Sequence, residues 1–225
     1  MVKSVKEGLL SPPMAALFEA AKSAKKKALG DVFSSSEPVL GHVANDFSSS
    51  TGPQSVSSAD FDSEETYQRY KEIRYSAMDL LARRDYSFFE LLNNLNQRYG
   101  NVDDQSDDTN SQWVLKVVQT LADEGLQCDR RFVESFINSR INRNLGLRRI
   151  KQDLYPKQVD SHLVDDVLQA LDVDWFAIAD NAYQRKYGQT LINDIKEYNK
   201  RMRFMAYRGH NPCDISELLT DYKNF

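Results

Sequence analysis

FINSRINRNLGLRRIKQDLYP, residues 136–156, is the stretch on which the fold turns. Phe136, Ile137 and Arg140 continue a helical pattern that begins near Asp129, and Gly146 interrupts it. Leu147, Ile150 and Leu154 then line a second helix, which Pro156 ends. The same stretch carries Arg140, Arg143, Arg148, Arg149 and Lys151 against a single acid, Asp153. The whole chain of 225 residues has 29 Lys and Arg against 33 Asp and Glu, a formal net charge of −4. Positive charge gathered around a helix break in a net-negative chain needs a reason.

Working outward, the pattern recurs. LARRDYSFFELLNNL (81–95), INRNLGLRRIKQDL (141–154) and MAYRGHNPCDISELL (205–219) share a basic helix end, a short break and a capped helix with apolar residues four apart. Ser87, Gly146 and Asn211 align at the break, then Leu91, Ile150 and Ile215, then Leu95, Leu154 and Leu219. The spacings of 59 and 65 residues hold at all three positions. Helix punctuation is dense between them: Ser87-Phe-Phe-Glu90 reads as a capping box, Asp129 as an N-cap, and Asn211-Pro212 as a cap followed by proline at the first helical position. Gly100, Gly125, Gly188 and Gly209 end helices. No segment alternates with the period of two that a strand requires. The reading is an all-α chain of nine helices in elongated tandem three-helix units, at about 62–124, 129–171 and 174–222. Units this small are expected to bury their apolar faces by stacking on one another into one continuous core.

Residues 1–61 differ. SSSEPVLGHVANDFSSSTGPQSVSSAD is rich in serine and poor in large apolar residues, so burial cannot offset its ordering entropy. This extension is expected to be largely disordered, with one short helix near Ala15–Leu29. Glu7, Glu19 and Asp31 argue against a transit peptide. No apolar run approaches the roughly 20 residues of a membrane span. Cys128 and Cys213 form neither a disulfide framework nor a zinc site, as expected of a reducing cytoplasm.

No phosphate-binding glycine loop, metal frame or nucleophile motif is present, and His42, His162 and His210 are far apart. Neither a catalytic site nor a cofactor is expected. What remains is basic charge. Around the break lie Arg140, Arg143, Arg148, Arg149 and Lys151; later come Arg185, Lys186, Lys200, Arg201, Arg203 and Arg208. Acids gather elsewhere, at 60–72 and 103–108. Helix macrodipoles account for Arg140, Arg143 and Arg208 at helix C-termini. They do not account for Arg148, Arg149 and Lys151 near an N-terminus, where cations are unfavourable. These eleven cations are the candidate contact residues for a phosphate-bearing or acidic partner.

The three aligned segments resemble the successive repeats of RecX, a family of bacterial regulatory proteins. The resemblance runs from about Ser76 to Leu219 and is most specific at Gly125, Leu126, Asp129, Arg131 and Phe132, with Arg208-Gly209 opening the final motif. Cys128 stands where the family often has asparagine, and His210 where it often has an aromatic residue. The resemblance implies a non-enzymatic, monomeric, cytoplasmic modulator of the RecA recombinase. It would bind RecA filaments on single-stranded DNA, inhibit ATP hydrolysis and strand exchange, and limit filament growth. The alternatives from the residues alone are a direct DNA-binding protein of helix-turn-helix type and a protein-only helical scaffold.

Overall fold

The computed structural model describes residues 63–100 and 109–224. The expected extension and the acidic 103–108 segment lie outside them. Nine α-helices follow one another among the described residues: α1 (Glu64–Arg83), α2 (Phe88–Tyr99), α3 (Thr109–Asp123), α4 (Asp129–Ile141), α5 (Leu147–Leu154), α6 (Ser161–Leu171), α7 (Trp175–Tyr187), α8 (Ile195–Tyr207) and α9 (Pro212–Thr220). A 3-10 turn, Tyr155–Lys157, extends α5. The described residues hold no sheet; one isolated parallel bridge joins Ile192 to Lys223.

The helices pack in threes around three separate cores, so the expected single continuous core is corrected: each unit encloses its own apolar face. Tyr70, Ile73, Leu91, Leu95, Val114 and Leu121 fill the first, from α1–α3. Phe132, Ile137, Ile150, Leu154, Val164 and Val167 fill the second, from α4–α6. Tyr183, Ile192, Met205, Ile215, Leu218 and Leu219 fill the third, from α7–α9. The aligned residues occupy equivalent places. Ser87, Gly146 and Asn211 are each the N-cap of the helix after a break. Leu91, Ile150, Ile215, Leu95, Leu154 and Leu219 are all buried. The phase shifts once: the break joins the first and second helices of units one and two, but the second and third helices of unit three.

Two local expectations are corrected. Ser87 Oγ does accept from Glu90 N at 3.1 Å, but the Glu90 carboxylate does not close the box. It turns instead to Arg84 at 2.9 Å and to Lys157 of the second unit at 2.8 Å. A complete capping box sits at Ser63 and Thr66, at the start of α1. Asp129 is not the N-cap of α4; Cys128 is, without a side-chain bond. Asp129 is buried, and its Oδ1 accepts from Phe88 N and from Gln127 Nε2, both at 2.8 Å.

That bond shows how the units join. Phe88 opens α2, where amides lack intrahelical partners, and a carboxylate from the second unit satisfies one of them. In return Ser87 Oγ donates to the Lys157 carbonyl at 3.0 Å, and Arg131 Nε donates to Asp85 at 2.7 Å. Burial pushes Glu90 up, but its bonds to Arg84 and Lys157 outweigh this and hold the carboxyl below its ordinary value. Three-helix cores below about 70–80 residues rarely supply more than about 3–5 kcal/mol, so these polar junctions matter to the stability of the whole.

Candidate functional site: a basic seam between the second and third units

The second junction is made of backbone. The break of unit two, residues 142–146, lies directly against the break of unit three, residues 208–210. Gly146 N donates to the Arg208 carbonyl at 2.9 Å, and Arg148 N donates to the Gly209 carbonyl at 3.1 Å. Gly146 has no side chain to cap α5, so a carbonyl from the next unit does it. Both glycines are required by the approach. A Cβ on Gly146 would lie 2.3 Å from the Gly209 oxygen, and one on Gly209 would lie 2.3 Å from the Arg149 nitrogen. Gly209 also holds φ +87°, in the left-handed region. His210 is buried beside them at 2% exposure, and its Nε2 has no partner among the described residues. Burial first, and then the Arg208 charge, push its imidazole below the usual histidine value.

Folding the two breaks together gathers cations from three distant segments. Arg208 lies over Phe204, its Nε donates to the Asn144 carbonyl at 3.2 Å, and its Nη2 to the Arg143 carbonyl. Burial, then the nearby charge of Arg185, push this guanidinium below its usual value. Lys186 sits 3.6 Å over the same Phe204 ring. Asp153 joins two arginines: Oδ2 accepts from Arg140 at 3.2 Å and Oδ1 from Arg149 at 3.0 Å. Arg140 lies over Phe136, and Arg149 over Tyr207 of α8.

The candidate cations thus separate into classes with different work. Arg149 and Lys151, which the macrodipole left unexplained, have carboxylate partners: Asp153 for the first and Asp165, at 2.8 Å, for the second. Arg140 shares Asp153. Arg201 does not belong with the surface cations. It is 3% exposed in the third core, where it pairs with Glu197 at 3.0 Å and donates to the Tyr183 hydroxyl and the Thr190 carbonyl. Its position four residues before the buried Met205 places it on the inward face of α8, and net-charge reasoning misses that. Arg143, Arg148, Arg185, Lys186 and Arg203 are exposed and pair with no carboxylate among the described residues. Lys200 is exposed and makes a loose contact of 3.4 Å to Glu197.

Two exposed residues on α8 escaped the sequence-based site. Lys196 and Tyr207 fall on one stripe with Lys200 and Arg203, at i, i+4, i+7 and i+11, and all four are exposed. That periodicity is present in the sequence, but a density of cations along a segment does not show which helix face each one occupies. Among the described residues no group of three His, Cys, Asp or Glu side chains is placed to hold a metal ion, and no helix is long and apolar enough to cross a membrane.

The arrangement defines a class: a tandem three-helix repeat protein whose units finish one another's helices and whose second junction carries a cationic seam. Comparison with known proteins specifies it further. Family models described as the second and third three-helix domains of RecX match residues 129–168 and 172–219. Regulatory protein RecX of Ectopseudomonas mendocina (strain ymp) is 35% identical over 147 residues, which span 65% of this chain and 92% of that protein. The protein of the same name from Pseudomonas entomophila (strain L48) is 35% identical over 148 residues, 66% of this chain and 90% of that one. A crystal structure of regulatory protein RecX superposes with a TM-score of 0.55 at 17% identity, covering 70% of this chain and 74% of that chain. This chain belongs to the RecX family of regulatory proteins.

Proposed function

We propose that the chain regulates the RecA recombinase by binding its filament on single-stranded DNA, lowering ATP hydrolysis and strand exchange and limiting filament growth. The observation that supports this reading is the seam. Cations from residues 143–148, 185–186 and 208 gather where the two breaks meet, Lys200 and Arg203 lie on the exposed face of α8, and Arg143, Arg148, Arg185, Lys186 and Arg203 lack a carboxylate partner among the described residues. A nucleoprotein filament offers both phosphate and acidic side chains to such a surface. Tandem units suit a long contact, and regulation by occupancy needs no catalytic group. A cytoplasmic monomer fits this role.

A helix-turn-helix reading of duplex DNA is less well supported. It would place the N-terminal residues of a recognition helix against base edges. In α5 that end is covered: the Arg148 amide is bonded to Gly209, and Gly146 is packed on the same residue. A protein-only scaffold leaves the unpaired cations without a purpose.

The test is the double substitution Arg143→Ala with Arg148→Ala. Both side chains are exposed, so each change should alter stability by about 0.5 kcal/mol or less. Lost charge-assisted contacts are worth about 1.5–3 kcal/mol apiece. The variant should keep its melting temperature and inhibit recombinase ATPase on preformed filaments at least tenfold more weakly. Inhibition equal to that of the unaltered protein, at matched folding and ionic strength, would eliminate the seam as the contact.

A further inference from the structure

We propose that the α8 stripe is a binding track for a single DNA strand, on which Tyr207 stacks a base. The inference deepens the filament reading by naming which component the seam touches.

Three observations converge. Tyr207 is a large aromatic residue, yet it is 76% exposed at the end of α8. Arg149 holds it in place: the guanidinium lies over the ring at 5.5 Å and is itself fixed by Asp153 at 3.0 Å. A cation against part of the ring orients it and leaves most of its surface to solvent. Leading up to it along the same helix face are Lys196, Lys200 and Arg203, all exposed. With a rise of about 1.5 Å per residue, the four side chains span roughly 16 Å of α8.

A row of cations ending in an oriented, uncovered aromatic ring is the chemistry that a flexible strand recognises. Phosphates follow the cations while a base, which always has a π-face, lies on the ring. A duplex does not suit it, because its bases are stacked on one another and offer no free face. An acidic protein surface would match the cations and leave the exposed ring unexplained. Two acids beside the track are already engaged: Glu197 by Arg201 and Lys200, and Asp153 by Arg140 and Arg149.

The experiment measures fluorescence anisotropy of a labelled oligothymidine strand with the full chain and no recombinase present. The unaltered protein should bind the strand, and bind a duplex of equal length more weakly at the same salt. Tyr207→Ala should weaken strand binding by roughly 5- to 150-fold, the range of one lost base stack. Tyr207→Phe keeps the ring and should stay within about twofold. An abasic strand should bind the unaltered protein and Tyr207→Ala equally, because only the phosphates remain. Lys200→Glu with Arg203→Glu should weaken binding and flatten its salt dependence. Equal binding of oligothymidine by Tyr207→Ala and the unaltered protein overturns the proposal, as does equal affinity of the unaltered protein for thymidine and abasic strands. The two readings fail separately. A protein that inhibits filaments yet ignores the free strand keeps the filament reading and loses the track. A protein with Tyr207-dependent strand binding and no effect on filaments does the reverse.

Discussion

Replacing Gly209 with alanine should break the second junction, and three glycines allow the cost to be built up from parts. Gly125 has φ +72° and nothing within 4 Å of where a Cβ would stand. Gly125→Ala therefore measures the left-handed backbone alone, about 1–2 kcal/mol. Gly146 has an ordinary φ of −78°, but its Cβ would meet the Gly209 oxygen at 2.3 Å. Gly146→Ala therefore measures the forced separation of the two breaks. That separation breaks the bonds from Gly146 N and Arg148 N, at about 0.5–1.5 kcal/mol each, for about 1–3 kcal/mol in total. Gly209→Ala incurs both costs, about 2–5 kcal/mol, a large share of the 5–15 kcal/mol typical of a folded domain. Urea unfolding of the three variants gives the ladder, and amide hydrogen exchange at Gly146 and Arg148 shows where it acts. Both amides should exchange much faster in Gly146→Ala and Gly209→Ala and remain protected in Gly125→Ala. A Gly209→Ala variant no less stable than Gly125→Ala, with both amides still protected, would refute the argument that backbone contact holds these units together.

Arg201→Ala should destabilise the chain by about 2–4 kcal/mol, because it leaves the buried Tyr183 hydroxyl and Thr190 carbonyl without their donor; Arg203→Ala, two residues away on the surface, should change stability by less than about 0.5 kcal/mol. Thermal melts of the two compare them directly, and equal losses would show that burial does not separate their roles. His210 gives a pH dependence of known sign. Its imidazole titrates lower in the folded chain than the ordinary value of about 6.5, so the unfolded chain takes up the proton first. Its contribution to stability is complete above about pH 6.5 and is lost as pH falls through the folded-state value. His210→Phe should flatten that slope in urea midpoints measured from pH 7.5 to 5, and an unchanged slope would place the dependence elsewhere.

The helices and their order were legible because they rest on local signals: apolar spacing, caps, and glycines or prolines at the ends. The alignment of Ser87, Gly146 and Asn211 was legible for the same reason, since each is a cap. The junctions were not. Asp129 reads locally as an N-cap, and only the fold reveals that its carboxylate is drawn to an amide 41 residues earlier in the chain. Glu90 was read as reaching back to its own cap, but two cations from outside the helix compete better for it. Gly146 and Gly209 were read as punctuation. Their stronger constraint, mutual contact, depends on a packing arrangement that no local pattern encodes. The candidate seam was half visible: the cations were evident, but their division into buried, paired and unpaired depends on which helix face each occupies.

The caps exchanged between units impose an order of completion on the chain. The first turn of α2 is satisfied by its own Ser87 and by Asp129, further along, and the first turn of α5 by Arg208 and Gly209, further along still. In contrast, α7, α8 and α9 are closed by their own Asp174, Asp194 and Asn211. Dependence therefore runs toward the C-terminus, and the third unit is the one that relies least on its neighbours. As a ribosome releases the chain, the first two units emerge with helix ends still waiting for partners not yet made. The last unit to appear is the one that locks the second, so a nascent chain cut short before Gly209 should leave α5 frayed at its first turn.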